Sequence, residues 1–306
     1  MFKNLMMFRV SGWPTELALL EEALASAQYV ECSASQEKSI GWVPPRGHAH
    51  GALVEVVAGQ WLLKLMMEVK VVPASVIKRK VQERMDQIEA STGRKPGKRE
   101  KSDISDEVRL SLLPMAFSKQ SSTQIWVDPS RGLLLTDAGS ESRADELMTC
   151  LIKAISGLAA RPINTKTAPS TAMSLWLSTK ESPPGFSVDQ ECELKAADDS
   201  GATVRYTRHS LDTDEVSQHI AMGKVPTRLA LTWAERVSFV LTDTMQLKKI
   251  AFLESVFEGA ASSPSDGKDD DFDADVAIAT GELSKLIPDL IEALGGEVLA
   301  NPIEGG

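Results

Sequence analysis

The sequence predicts an α+β fold: mixed, mainly antiparallel sheets with a projecting helical hairpin. Three observations carry that prediction. Apolar segments of period two and of period 3.6 follow one another without strict alternation, which argues against a doubly wound parallel sheet. Three strand-like segments stand consecutively between Lys224 and Phe252, the pattern of an antiparallel meander. Between Ala74 and Phe117 the period is helical on both sides of Gly93 and Pro96-Gly97, as expected of two helices joined by a turn.

Taken in order, Met1 to Val10 reads as a strand. Pro14 to Gln28 reads as an amphipathic helix capped by Thr15, with Leu17, Leu20, Ala23 and Leu24 at helical spacing. Ser39 to Gly51 is loop-rich; the pair Pro44-Pro45 fixes an extended backbone and leaves Trp42 as an anchor. Ala52 to Val57 and Gln60 to Val72 form a hairpin joined at Gly59. After Pro73 the period changes. Val76, Ile77, Val81, Met85 and Ile88 make one apolar stripe, so Ala74 to Ser91 is helix, about 27 Å long. A second helix starts at Ser105 and carries Val108, Leu112 and Leu113 toward Pro114.

A further hairpin joins Ser122 to Val127 with Gly132 to Thr136 through the turn residues Asp128 to Gly132. Ser140 caps a helix that ends near Ser156, with Leu147, Leu151, Ile152 and Ile155 inward, and Ala159 to Thr171 reads as a linker. Helix follows at Thr171 to Thr179, then strands at Cys192 to Ala196 and Ala202 to Arg208, and helix at Asp212 to Met222. The meander is Lys224 to Thr232, Arg236 to Leu241 and Gln246 to Phe252. Gly259 to Asp271 is low in hydrophobicity and reads as mobile. Ala274 to Leu294 is a helix with a kink at Pro288, ended by Gly295-Gly296. Three parts result: 1–73 with 119–160, the hairpin 74–118, and 161–306.

At 306 residues the chain can bury one large core or several small ones. No run approaches 18 apolar residues, and Arg9 interrupts the start early, so the expectation is a cytoplasmic protein without membrane contact. Cys32, Cys150 and Cys192 are odd in number and far apart, which disfavours a disulfide framework or a Cys-x-x-Cys site. The net charge is -10, yet Lys70 to Lys101 holds ten basic and four acidic residues, a local +6. Inside a Debye length of about 8 Å the local charge governs, so an acidic body with a basic surface still attracts phosphate.

The basic hairpin is the strongest functional signal. Lys78, Arg79, Arg84, Arg94, Lys95, Lys98, Arg99 and Lys101, with Lys119 just beyond, are the candidate DNA-binding residues. Lysine and arginine neutralise phosphates and release counterions without reading sequence. Few aromatics interleave with them, so duplex backbone contacts are favoured over single-strand stacking, though single strands stay open. The alternative is a solvated face with pairs such as Lys80 and Glu83, or a surface for an acidic protein partner. Met115 and Phe117, after Pro114, are either core residues or an exposed anchor for a second subunit.

Asp269-Asp270-Asp271-Phe272-Asp273-Ala274-Asp275 invites a metal reading, and a metal-dependent nuclease using Asp271, Asp273 and Asp275 is the enzymatic alternative. A calcium loop fails: Ala274 stands where the sixth-position Gly belongs and Thr280 where the twelfth-position Glu belongs. Asp273 reads better as an N-cap, favoured with its neighbours by the helix dipole. His48 and His50 lack a ligand cluster, His209 and His219 lack a nucleophile, and no phosphate-binding glycine loop is present. No metal, cofactor or catalytic residue is expected.

Several stretches carry a family resemblance. Phe2-Lys3-Asn4-Leu5-Met6, Gly41-Trp42-Val43-Pro44-Pro45, Ser111-Leu112-Leu113-Pro114-Met115-Ala116-Phe117-Ser118, Phe272-Asp273-Ala274-Asp275, Thr280-Gly281-Glu282-Leu283 and Leu294-Gly295-Gly296-Glu297 closely resemble the bacterial recombination-associated RdgC family, in order and over nearly the whole chain. The resemblance implies a nucleoid-associated, non-enzymatic DNA-binding protein that restrains RecA-driven recombination around replication. It implies a ring-shaped homodimer with a positively lined hole, closed at a base formed by the C-terminal part and at the helical tips. On that reading Phe117 is the tip-contact anchor, Arg94 a basic residue of the tip, and Arg208, near Arg205, lines the hole.

Overall fold

A computed structural model describes residues 2–14, 16–198, 200–257 and 268–298. Its strands are β1 (Asn4–Ser11), β2 (Lys38–Val43), β3 (Glu55–Val57), β4 (Gln60–Val71), β5 (Phe117–Asp128), β6 (Leu133–Thr136), β7 (Ala159–Pro162), β8 (Phe186–Ala196), β9 (Thr203–Thr207), β10 (Lys224–Trp233), β11 (Val237–Thr242) and β12 (Leu247–Phe252). Its helices are α1 (Leu17–Ala25), α2 (Ala74–Thr92), α3 (Lys98–Leu112), α4 (Glu141–Ala154), α5 (Pro169–Thr179), α6 (Asp214–Ala221), α7 (Glu254–Phe257) and α8 (Lys268–Ala293). The protein is α+β, and every strand pairing among the described residues is antiparallel. The sheet runs in the order β2-β4-β5-β6-β1-β12-β11-β10-β8-β9, with β3 on β4 and β7 on β1.

The N-terminal strands are apolar on both faces because both faces are covered. Met6, Phe8, Leu63, Leu65, Ile125, Val127 and Leu134 pack under Leu20 and Leu24 of α1 and Leu147 and Leu151 of α4. Their strand neighbours Leu5, Met7, Leu62, Trp126, Leu133 and Leu135 point the other way, into a core shared with α5, α8 and the meander. β1 therefore serves two cores at once. It also joins the halves of the sheet, with Asn4 opposite Lys248 and Leu5 opposite Leu247.

The differences from the sequence reading have local causes. Lys38–Val43, expected as loop, is strand β2, and Trp42 is buried in the core: the Pro pair follows the strand rather than interrupting it. Strand β7 lies inside the expected linker and pairs with β1, so that segment is tied to the sheet. Strands β5 and β8 extend well beyond their apolar runs, because backbone pairing continues along polar residues. α3 begins seven residues before Ser105, because Gly97 ends the turn and Ile104, a residue left outside the expected helix, is buried against α2. Glu16 precedes α1, and Thr15 lies outside the described residues.

Ser140 stands at the N-cap of α4, although its hydroxyl makes no capping bond. α8 already includes Asp273, so that residue is no cap. Of the segment expected to be mobile, 268–271 are helical and 259–267 lie outside the described residues. The helix continues through Pro288 and ends as expected: Gly296 N donates to Ile291 O at 2.8 Å and Gly295 N to Glu292 O at 2.8 Å, with both glycines at positive φ.

Candidate nucleic-acid interface

Strands β4 and β5 pair from Trp61 opposite Val127 out to Val71 opposite Phe117, and α2 and α3 continue from their far ends as an antiparallel hairpin. The hairpin is held by a thin seam. Val81, Ile104 and Leu113 are buried, flanked by half-buried Val76, Ile77, Met85, Ile88, Val108 and Leu112, and belong to neither main core. Most of the remaining side chains on these helices are polar and exposed, so the hairpin is a scaffold for surface charge rather than a core element.

The basic side chains divide by their neighbours. Lys80 meets Glu83 at 2.8 Å and Arg79 the same carboxylate at 3.8 Å, which holds Glu83 below the usual carboxylate range, first through the Lys80 hydrogen bond. Arg94 meets Glu100 at 2.8 Å, raising the guanidinium and lowering the carboxyl, and Lys95 stands 3.7 Å from Glu89. Lys78, Arg84, Lys98, Arg99, Lys101 and Lys119 are exposed and form no ion pair among the described residues. Lys70, counted with the positive stretch, is corrected: it is buried, and its ammonium donates to the carbonyls of Ser33 at 2.7 Å and Ala34 at 2.8 Å.

Lys98, Arg99 and Lys101 occupy the first turn of α3, next to the turn at Gly93 to Gly97. A helix N-terminus already carries partial positive charge, so each cation there costs about 0.3–1 kcal/mol of helix stability. Placing three cations there lowers local stability and concentrates positive potential where backbone N–H groups also point outward.

At the other end of the hairpin, Phe117 is 87% exposed and Met115 74%, Val71 opposite Phe117 is 48% exposed, and Leu110 of α3 is 60% exposed. The core reading of Phe117 is thereby excluded. Lys119 shares this face of the ribbon, two residues along β5. Sequence periodicity did not find Leu110 or Val71. The β4–β5 register sets Val71 opposite Phe117, while Leu110 stands on α3, seven residues before Phe117.

A family model described as "Putative exonuclease, RdgC" matches residues 1–297. The chain is also 41% identical to a recombination-associated protein RdgC of Dechloromonas aromatica, over 97% of this chain and 98% of the relative. The relatives of that name in Herminiimonas arsenicoxydans and Bordetella pertussis are 41% and 39% identical, again over 97% and 98%. The chain belongs to the RdgC family. Its curated relatives are named for recombination, while the model's description carries an exonuclease label.

The carboxylates of the Asp269 to Asp275 stretch on this RdgC-family chain stand beside cationic side chains. Among the described residues no three metal-capable side chains converge. Asp273 is engaged by the Arg46 guanidinium at 2.6 Å, and Asp269 meets His48 at 3.0 Å and Arg46 at 3.8 Å. Arg46 also stacks over Phe272 at 4.7 Å, so a cationic side chain already sits among these acids. His48 is drawn to Asp269 rather than to His50. The three cysteines are free, and burial pushes the Cys192 thiol up to about 12.

Arg205 lies on β9, at the sheet edge, seven positions from β5 in the strand order. It is paired with Glu193, whereas Arg208 is exposed, at a φ of 55°, without an ion pair among the described residues. One chain thus keeps the hairpin cations and the β9 arginines apart. No helix among the described residues is long and apolar enough to cross a membrane.

Proposed function

We propose that this chain is a sequence-independent, non-catalytic DNA-binding protein of recombination, working as a ring-shaped homodimer around duplex DNA at the nucleoid. The observation that carries the reading is the set of exposed cations on the hairpin, three of them in the first turn of α3 against the helix dipole. Phosphate neutralisation by such side chains gives affinity for every sequence alike. The family's recombination-associated name agrees with that chemistry. The exposed group of Phe117, Met115, Leu110 and Val71 supports a second copy as partner, since aromatic anchors dominate subunit contacts. Two copies would also bring the separated basic surfaces around one cavity. By occupying duplex, or single strands less tightly, such a dimer restrains RecA through competition for DNA, with no contact to RecA required.

The test is binding to labelled duplex across about 50 to 200 mM salt, comparing open ends with blocked ends. Steeply salt-dependent binding with longer retention on the blocked duplex is expected. No binding at the lower salt would return the hairpin to an acidic protein partner, and strand cleavage with magnesium would overturn the non-catalytic part.

A further inference from the structure

Outward of Leu65, the last apolar residue that β4 buries, the buried side chains of β2, β4 and β5 are polar: Glu68, Lys70 and Ser39. Apolar side chains there are at most half-buried, with Ile40 at the margin of the main core, so apolar packing alone does little to fix the direction in which this end of the sheet, and the hairpin beyond it, points. A network of directed bonds to the segment 29–37 stands in that place. Glu68 is only 4% exposed and accepts from Tyr29 Oη and from Cys32 N, the latter at 2.9 Å. Lys70 donates through Nζ to Ser33 O and Ala34 O and through its backbone N to Glu37 O at 2.9 Å. Gln120 Nε2 donates to Tyr29 Oη at 3.0 Å, and the Ser39 hydroxyl donates to Val30 O.

The segment reaches the hairpin as well, for Glu37 lies 3.5 Å from Arg109 of α3. Gly41 admits it closely: a Cβ there would fall 2.4 Å from Tyr29 Cα. By the ladder register, Glu68, Lys70, Ser118 and Gln120 share one face of the ribbon, while Val71, Phe117 and Lys119 share the other. The segment thus backs the exposed surface without covering it.

We infer that residues 29–37 are a brace that sets the direction of the basic hairpin relative to the sheet, with Glu68 and Lys70 as its positioning residues. Apolar contacts tolerate sliding, whereas a buried carboxylate and a buried ammonium keep their bonds only in one geometry. The consequence for DNA rests on the function proposed above; the mechanical claim does not.

The experiment is a distance measurement on the full chain without DNA. Spin labels are attached through a ketone-bearing amino acid at Lys95 and Thr149, leaving the cysteines untouched, in excess unlabelled chain. A narrow distribution is expected for the parent, a broad one for Glu68→Ala, and near-recovery for Glu68→Gln, which keeps a carbonyl acceptor for Tyr29 and Cys32. Lys70→Met, whose released carbonyls can turn to water, is the milder variant and is expected to broaden the distribution as well. On duplex, Glu68→Ala is expected to bind about tenfold more weakly if the competent pose falls to about a tenth, with an unchanged salt slope because no exposed cation is lost. An unchanged width in folded Glu68→Ala overturns the brace; if that variant does not fold, an unchanged width in Lys70→Met does so. A parent that fails to bind duplex overturns the proposed function and leaves the distance result standing.

Discussion

Replacing Lys98, Arg99 and Lys101 together by Gln is the sharpest test of the DNA-binding site proposed on the hairpin. Six candidate cations, Lys78, Arg84, Lys98, Arg99, Lys101 and Lys119, make no ion pair among the described residues and are exposed. Six phosphate contacts per chain give a slope of log affinity against log salt of about -5.4, and three give about -2.7. Raising salt from about 50 to 200 mM then weakens the parent roughly 2,000-fold and the triple variant only about 40-fold. Fluorescence anisotropy of a labelled duplex reads both slopes. Removing three cations from the N-terminal turn of α3 relieves the dipole conflict by about 0.3–1 kcal/mol each, so weak binding cannot be assigned to a melted helix. Lys80→Gln is the control: its charge is already matched by Glu83, so the slope should change by less than one contact. An unchanged slope in the triple variant would refute the placement of the site on the hairpin tip.

Three further outcomes are expected. Phe117→Ala, at an exposed position, should shift unfolding by no more than about 0.5 kcal/mol in chemical denaturation while shifting sedimentation toward monomer; an unchanged sedimentation would refute its role as a subunit anchor. Leu283→Ala, fully buried between α8 and the sheet, should cost about 2–5 kcal/mol by the same denaturation assay. Hydrogen bonds from Ser118, Tyr29 and the Cys32 amide, in that order, hold the Glu68 carboxyl down at about 2. Because that value is depressed, its stabilisation is complete above the ordinary carboxylate range and is lost as pH falls from about 4.5 toward 2. Amide protection in residues 29–37, taken relative to the intrinsic exchange rate at each pH, should fall over that window in the parent, and Glu68→Gln should make that protection independent of pH there.

How much of this was legible in the sequence depends on the range of the interaction that decides each feature. The helical stripe of Val76, Val81, Met85 and Ile88, the meander, and the glycine stop at Gly295-Gly296 follow from contacts within a few residues, and all were found. The concentration of positive charge on the hairpin was also visible, because charge is a property of composition. Strand β2 was missed because Lys38–Val43 has only weak alternation; pairing with β4, more than twenty residues away, makes it a strand. The helical state of Lys98 to Asp103 was missed for a similar reason, since Ile104 finds its partner on α2.

At the site, the sequence named the cations but could not say which remain unpaired. Arg94 and Lys98 are alike in sequence, and only the fold gives Glu100 to one and leaves the other without an ion pair among the described residues. Lys70 looked like surface charge and is a buried donor, because a strand whose inward face carries Glu68 and Lys70 needs polar partners, and residues 29–37 supply them. The sequence by itself thus determined the class, the hairpin and the sign of its field, all set by local period and composition. The tertiary structure decided which charges face water and what holds the hairpin in place, because those depend on residues brought together across the sheet.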